Sequence, residues 1–256
     1  MNASEPKKAL VTGASYGLGR AISVGLARKG MDLILTARSK ELLEETADAV
    51  RGSGSSATVI AADISTESGR EALLGLLGQE TDKISVFVHA ASANTDPEEH
   101  ANLLDTPDET IDALVKTTIA GTIFLTKALI PFLERGAPAN VILIASDWAL
   151  KGSHGPPVFS AAKAAVAHLG HSLRRSLGAR RISMTVLYPG DVASFDADWT
   201  EPKWQIDDPL EAIKAELGNS RIPLVDIVET IDFIIARKMS RIEELWISPL
   251  DPDYDY

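Results

Sequence analysis

The sequence predicts an α/β fold, a doubly wound parallel sheet of about seven strands with helices on both faces. Three observations predict it. Short apolar, β-branched runs alternate with longer segments of helical period; the runs are continuously apolar, as strands covered on both faces must be; and a glycine-rich turn joins the first run to the first helical segment. In chain order the runs are 7–12 (KKALVT), 32–37 (DLILTA), 57–62 (ATVIAA), 84–89 (ISVFVH), 140–145 (NVILIA), 182–187 (ISMTVL) and 244–248 (ELWIS). Helical patterns fill 17–30, 41–52 and 68–79, and two longer ones lie at 109–134 and 157–177.

With 256 residues, 45% apolar and 24% charged, and no proline- or serine-rich linker, residues 1–256 read as one domain. Lysine and arginine number 25 against 36 acidic residues, a net charge of −11. That sign opposes binding to a phosphate backbone, so no nucleic acid is expected as partner. The absence of cysteine excludes disulfides, thiolate chemistry and Cys-ligated metal, and His89, His100 and His154 lack ligand spacing, so no metal is expected. No run approaches the ~20 apolar residues of a membrane span, and the expected location is cytoplasmic, with no membrane partner. Residues 191–223 break the rhythm with Pro202, Pro209, Pro223, Trp199 and Trp204; the expectation is a substrate lid, the plainer alternative a surface excursion packed by its own aromatics. The apolar outer faces of 109–134 and 157–177 predict a homodimer or homotetramer.

The first strand runs into Thr12-Gly13-Ala14-Ser15-Tyr16-Gly17-Leu18-Gly19 and then a helix. Glycines there permit a tight turn, close approach of backbone N–H groups to a pyrophosphate, and close helix–strand packing, so the segment is a candidate dinucleotide loop. The second strand ends Ala37-Arg38-Ser39-Lys40, with no carboxylate for an adenine-ribose 2′-OH. Arg38 offers a planar donor fork suited to a 2′-phosphate, with Ser39 and Lys40 beside it; Asp32 stands at the opposite end of the strand. The expected cofactor is NADP(H), and the partner a small-molecule substrate.

These landmarks resemble the short-chain dehydrogenase/reductase family, a Rossmann-type fold, over nearly the whole chain. The Gly13, Gly17, Gly19 spacing is similar to its cofactor loop, Asp63-Ile64 to its adenine-contacting pair, and Pro189-Gly190-Asp191-Val192-Ala193-Ser194 to the segment that holds the nicotinamide carboxamide. Ala90 and Ala91 lie in the segment His89-Ala90-Ala91-Ser92 where the family has Asn-Asn-Ala-Gly. By this resemblance Ser146 and Lys163 occupy the active-site Ser and Lys positions. Lys163 would hold the nicotinamide ribose, Ser146 the reacting heteroatom, and Trp148, Trp199 and Trp204 would meet substrate.

Two active-site positions depart from the family pattern. The tyrosine slot holds Phe159, and the Asn position holds Thr118. Hydride delivery to a carbonyl builds an alkoxide that needs a proton, which the family takes from a tyrosine whose pKa is lowered by the lysine. Phe159 keeps the shape and lacks the proton. Either a Tyr→Phe change was made in this chain, or it diverged toward chemistry that does not use this acid; the departures at 118 and 89 favour divergence. Asp147, beside Ser146, is then a candidate to pair with a cationic substrate or donate a proton, with a loop-capping role as the alternative; His89 and His154 are weaker candidates. The expected activity is hydride transfer between nicotinamide and an organic carbonyl, imine or enone. The alternatives are a dinucleotide-binding protein without catalysis and a redox-derived scaffold for rearrangement or cyclisation.

Overall fold

The computed structural model describes residues 7–93, 95, 101–151, 156–193, 221–237 and 240–250. Seven parallel strands form one sheet: β1 (Lys8–Thr12), β2 (Asp32–Ala37), β3 (Ala57–Ala61), β4 (Val86–His89), β5 (Ala139–Ile144), β6 (Ile182–Pro189) and β7 (Glu244–Ile247). Their order is β3-β2-β1-β4-β5-β6-β7. The helices are α1 (Gly17–Arg28), α2 (Lys40–Gly52), α3 (Glu67–Glu80), α4 (Asp108–Arg135), the single turn α5 (Trp148–Lys151), α6 (Pro157–Gly178) and α7 (Leu224–Ile235). The chain winds outward from β1 to β3, then crosses to β4 on the other side of β1, so β1 and β4 border the topological switch point.

Continuous apolar runs are needed because successive residues serve opposite faces of the sheet. Ala9 and Val11 of β1 enter one core with Ile22 and Leu26 of α1, Leu43 of α2 and Ile227 and Ile231 of α7. Leu10, between them, enters the other with Leu73 and Leu77 of α3, Leu125 and Leu129 of α4 and Val166 of α6. All of these side chains are buried.

Strand boundaries shift by up to two residues from the expected runs. Ile84 turns its N–H to the Phe132 carbonyl of α4, away from the sheet, and Ser85 makes the first bonds to the neighbouring strands, to Lys8 and from Asn140, just ahead of β4. Strand β6 continues two residues further, to Pro189, pairing Tyr188 with Trp246 and Pro189 with Ile247 of β7. Within α4, residues Leu114–Gly121 wind as a π-helix, which the apolar periodicity gives no sign of. The 28 residues of α4 are long and apolar enough to cross a membrane by length and composition alone. Its inner stripe, Leu125, Leu129 and Leu133, is instead fully buried in the second core. Its outer face exposes Val115, Ile123 and Phe124, the apolar surface expected of it.

The chain on either side of 194–220 is pinned together. Val192 bridges Ile222, Ala193 N–H donates to the Ile222 carbonyl at 3.1 Å, Ile222 N–H donates to the Asp191 carbonyl at 2.7 Å, and Arg221 pairs with Asp191 at 3.3 Å. The excursion thus leaves and returns beside the carboxyl end of β6; Ser194, Trp199 and Trp204 lie outside the described residues.

Two glycines should respond to alanine with opposite sign. A Cβ on Gly25 of α1 would come 2.3 Å from Val228 Cγ1 of α7, whereas one on Gly75 of α3 meets nothing within 4 Å. Urea denaturation should show Gly25→Ala less stable by about 1–3 kcal/mol. Gly75→Ala should be more stable by about 0.5–1 kcal/mol through helix propensity.

Candidate active site

The carboxyl ends of β1, β2, β4, β5 and β6 carry nearly every residue singled out from the sequence. The glycine loop follows β1 directly. Gly13 and Gly17 have φ of +67° and +56°, a conformation that penalises a Cβ. Gly19 packs closely enough that a Cβ would lie 2.1 Å from the Gly13 carbonyl oxygen. The turn is tied down from outside: Ala14 N–H donates to the Thr36 carbonyl at 3.3 Å, and the Thr46 hydroxyl of α2 donates to the Ala14 carbonyl at 2.9 Å. Ser15 is buried in the turn, Leu18 half-buried and Tyr16 exposed.

Arg38 is exposed at the end of β2, and its guanidinium makes no ion pair or hydrogen bond among the described residues. It stands near the Tyr16 phenol, whose pKa is pushed up by burial with the Arg38 charge opposing. Ser39 is committed locally: its hydroxyl caps α2 by accepting from Leu42 N–H at 3.3 Å and donates to Glu41 at 3.2 Å. Asp32, at the amino end of β2, accepts from Ser56 N–H at 3.0 Å, remote from this edge. After β3, Asp63 Oδ1 accepts from Ser65 N–H at 2.9 Å, and buried Ile64 gives its carbonyl to Arg70 at 2.8 Å.

Between β1 and β4 runs a buried polar chain that sequence reading missed. Thr12 and His89 are paired in register. Thr12 Oγ1 lies 2.9 Å from His89 Nδ1, and His89 Nε2 lies 2.7 Å from Thr122 Oγ1 of α4. The proton positions follow from satisfiability. The Thr122 hydroxyl gives its one proton to the Thr118 carbonyl at 2.5 Å, so it accepts from His89 Nε2–H. His89 Nδ1 then accepts from the Thr12 hydroxyl, which itself accepts from Ala91 N–H at 3.2 Å. Thr118 Oγ1, fully buried in the π-helical stretch, accepts from Ala93 N–H at 3.1 Å and shares a proton with Ser92 at 3.0 Å. The register and the Thr118–Thr122 spacing of four residues were the signals available.

His89 is 1% exposed, and burial first, then the Lys163 charge, drives its pKa down to about 3. It is therefore neutral, which removes it as a proton donor near neutral pH and fits the tautomer above.

At the end of β5, Ser146 and Asp147 are both buried. Ser146 Oγ donates to Asp147 Oδ1 at 3.1 Å, and Trp148 N–H lies 2.8 Å from Asp147 Oδ1 and 3.3 Å from Ser146 Oγ. Asp147 N–H donates to the Pro189 carbonyl at 3.1 Å, joining this loop to the β6 end, where Gly190 N–H donates to Ile247 at 2.8 Å. Helix α6 brings Phe159 and Lys163 to the same place. Lys163, 5% exposed, donates from Nζ to the Ile144 carbonyl at 3.2 Å and lies 5.4 Å from the Phe159 ring centroid. Burial lowers its pKa to about 8. Phe159 meets Trp148 edge to face, with centroids 5.7 Å apart. Among the described residues this corner has no phenol. His154 lies outside the described residues.

The arrangement fits a nicotinamide dinucleotide. The glycine turn leaves backbone N–H groups without a side-chain wall, Arg38 stands beside it with no ion pair among the described residues, and the buried Lys163 ammonium has three protons but one acceptor among those residues. A separate cavity of about 310 Å³ opens at the amino edge, lined by Lys7, Lys8, Lys83, Ser85, Arg135, Gly136 and Ala137. It lies at the wrong end of the strands for this chemistry, because open α/β sheets bind ligands at the carboxyl edge.

The unfolded chain protonates His89 below about pH 6.5, whereas the folded protein resists until about 3, so stability falls as pH drops through that window. Between pH 7 and pH 5 this group should remove about 2 kcal/mol. His89→Gln should flatten that part of the pH dependence in urea titrations, and an unchanged slope would contradict the buried neutral imidazole.

Residues 7–205 match the short chain dehydrogenase family. The 3-oxoacyl-acyl-carrier-protein reductase FabG of Aggregatibacter actinomycetemcomitans is 28% identical over 238 residues, 90% of this chain and 91% of that protein. An alcohol dehydrogenase from the archaeon Thermococcus sibiricus, complexed with 5-hydroxy-NADP, superposes with a TM-score of 0.80 at 22% identity, covering 98% of this chain and 100% of that one. The L-sorbose reductase of Gluconobacter frateurii, complexed with NADPH and L-sorbose, gives a TM-score of 0.79 at 19% identity, covering 95% of each chain. The family match over 7–205 and the seven-stranded sheet agree, and the chain belongs to the short-chain dehydrogenase family.

Proposed function

We propose that this oxidoreductase uses NADP(H) and transfers hydride to a small or medium organic carbonyl, imine or enone without a phenolic acid. The observation that carries the cofactor reading is Arg38: an exposed guanidinium at the end of β2, beside the glycine turn, with no carboxylate partner among the described residues. Its planar donor fork suits a phosphate. The solved structures of the Thermococcus sibiricus and Gluconobacter frateurii proteins with NADP-type cofactors support the same reading. In it the amides of the Gly13–Gly19 turn hold the pyrophosphate, Arg38 and Tyr16 flank the 2′-phosphate, Asp63 and Ile64 border the adenine, and Pro189, Gly190 and Val192 border the carboxamide.

When bound, the nicotinamide supplies the hydride. Lys163 directs its free ammonium protons to the ribose hydroxyls, anchored from behind by the Ile144 carbonyl. Phe159 and Trp148 exclude water from one side of the reacting carbon, while Ser146 and Asp147 meet its heteroatom. Without a positioned acid, reduction of a neutral ketone lacks a contribution of about 100- to 10,000-fold in rate.

A second copy of the chain belongs to this reading, docked on the apolar outer face of α4 at Val115, Ile123 and Phe124. Light scattering should give a multiple of 27.4 kDa at micromolar concentration, and a purely monomeric mass would contradict it.

Titration should show NADPH binding more tightly than NADH. Arg38→Ala should weaken NADPH alone, by about 1.5–3 kcal/mol, the worth of a hydrogen bond to a charged group. Equal affinities in the unaltered protein would contradict the cofactor assignment.

A further inference from the structure

We propose that the cavity at the amino edge of the sheet is an anion site, which takes the phosphate group of a small phosphorylated metabolite between Arg135, Lys7, Lys8 and Ser85.

The chain segments that line this cavity are fastened to one another through their backbones. Ser85 N–H donates to the Lys8 carbonyl at 3.0 Å, and Ile84 N–H donates to the Phe132 carbonyl of α4 at 3.0 Å. Gly136, just past α4, packs so closely that a Cβ would lie 2.0 Å from the Ile84 carbonyl oxygen. The amino ends of β1 and β4 and the carboxyl end of α4 therefore form one fixed cup. Its volume of about 310 Å³ stands at the lower end of the range for small-molecule sites, about 300–1,000 Å³.

The lining carries four cations and no carboxylate among the described residues, in a chain whose net charge is −11. Such a chain repels anions over most of its surface, so a concave cluster of the opposite sign is a local exception that focuses the field. Arg135 is anchored from behind: Nε donates to the Asp82 carbonyl at 2.5 Å, and the guanidinium lies 5.0 Å from the Phe132 ring centroid. Its four Nη hydrogens have no acceptor among the described residues. Lys7 is exposed and makes no side-chain hydrogen bond or ion pair among those residues, and the hydroxyl of half-buried Ser85 has no partner among them. Lys8 donates to the Glu80 carbonyl at 3.2 Å and stands 3.7 Å from the Glu80 carboxylate, a part-exposed pair that costs little to loosen. Lys83 is already engaged and serves here only as wall.

The number and spread of these donors select the anion. A carboxylate presents two oxygens in one plane, which a single guanidinium fork satisfies. A phosphate presents three acceptor oxygens in different directions and close to two negative charges, and a fork, two ammonium groups and a hydroxyl on separate segments match it. Gly136 and Ala137 leave an uncharged side for the carbon part of the ligand. A ligand held there ties together the amino ends of the two strands whose other ends carry Thr12 and His89.

The test titrates the whole chain by calorimetry at fixed ionic strength with glycerol 3-phosphate, glycerol and malonate. Glycerol 3-phosphate should bind, glycerol should not, and malonate, a dicarboxylate dianion, should bind at least about 10-fold more weakly. Arg135→Gln should weaken glycerol 3-phosphate by about 10- to 100-fold, the worth of a hydrogen bond to a charged group. Lys7→Glu, at an exposed position outside the core, should weaken it by about 10-fold by turning attraction into repulsion, and carries the test if Arg135→Gln does not fold. Arg38→Ala, at the opposite edge of the sheet, should leave this binding unchanged. The ligand should also raise the thermal midpoint of the unaltered protein and not that of Lys7→Glu at the same concentration. Equal binding of malonate or glycerol, binding indifferent to Lys7→Glu and Arg135→Gln, binding abolished by Arg38→Ala, or no binding at millimolar concentration overturns the proposal.

Discussion

A neutral imidazole held between two threonine hydroxyls is the contact on which the rest of the site depends. His89 ends β4 at the switch point, where neighbouring strands β1 and β4 send their chains in opposite directions and open the crevice. A buried, uncharged His with both nitrogens bonded joins Thr12 of β1 to Thr122 of α4, and through Thr118 to the loop after β4. Neither strand end can move without breaking a buried hydrogen bond, and a broken one leaves a desolvated polar group unsatisfied. The glycine turn is fixed against the same wall, since a Cβ on Gly13 would lie 2.9 Å from the Ala91 backbone.

From that frame the chemistry of the corner follows. Burial makes Lys163 a reluctant cation and holds it on the Ile144 carbonyl, close to the ring of Phe159. In the family pattern such a lysine acidifies a phenol; here it faces a hydrocarbon ring. Across from it, Asp147 Oδ1 takes the Ser146 hydroxyl and Trp148 N–H and closes the loop after β5.

The sequence made the sheet legible because both faces of the central strands are buried, leaving apolar runs such as 33–35 and 141–145. The glycine turn, Arg38, Ser146 and Lys163 were legible because position in a βα unit fixes where their backbones go. The hydrogen-bond partners were not. Whether Ser146 donates or accepts depends on which oxygen stands beside it, and which nitrogen of His89 carries the proton depends on Thr122, which is 33 residues away in the chain. The π-helical stretch at Leu114–Gly121 was equally silent, because its residues keep the apolar spacing of the α-helix around it. The wider strand β6 and the pinned chain beside it, through Val192 and Ile222, arise from tertiary pairing that no local pattern encodes.

The most direct measurement of the central claim is the ¹⁵N resonance pair of the His89 ring in the folded protein, followed from neutral pH down to about pH 5. The network requires a protonated pyrrole-type Nε2 and an unprotonated pyridine-type Nδ1, unchanged across that range. Protonation of both nitrogens above about pH 5, or a proton on Nδ1 in place of Nε2, would contradict the chain of donors and acceptors that organises this site.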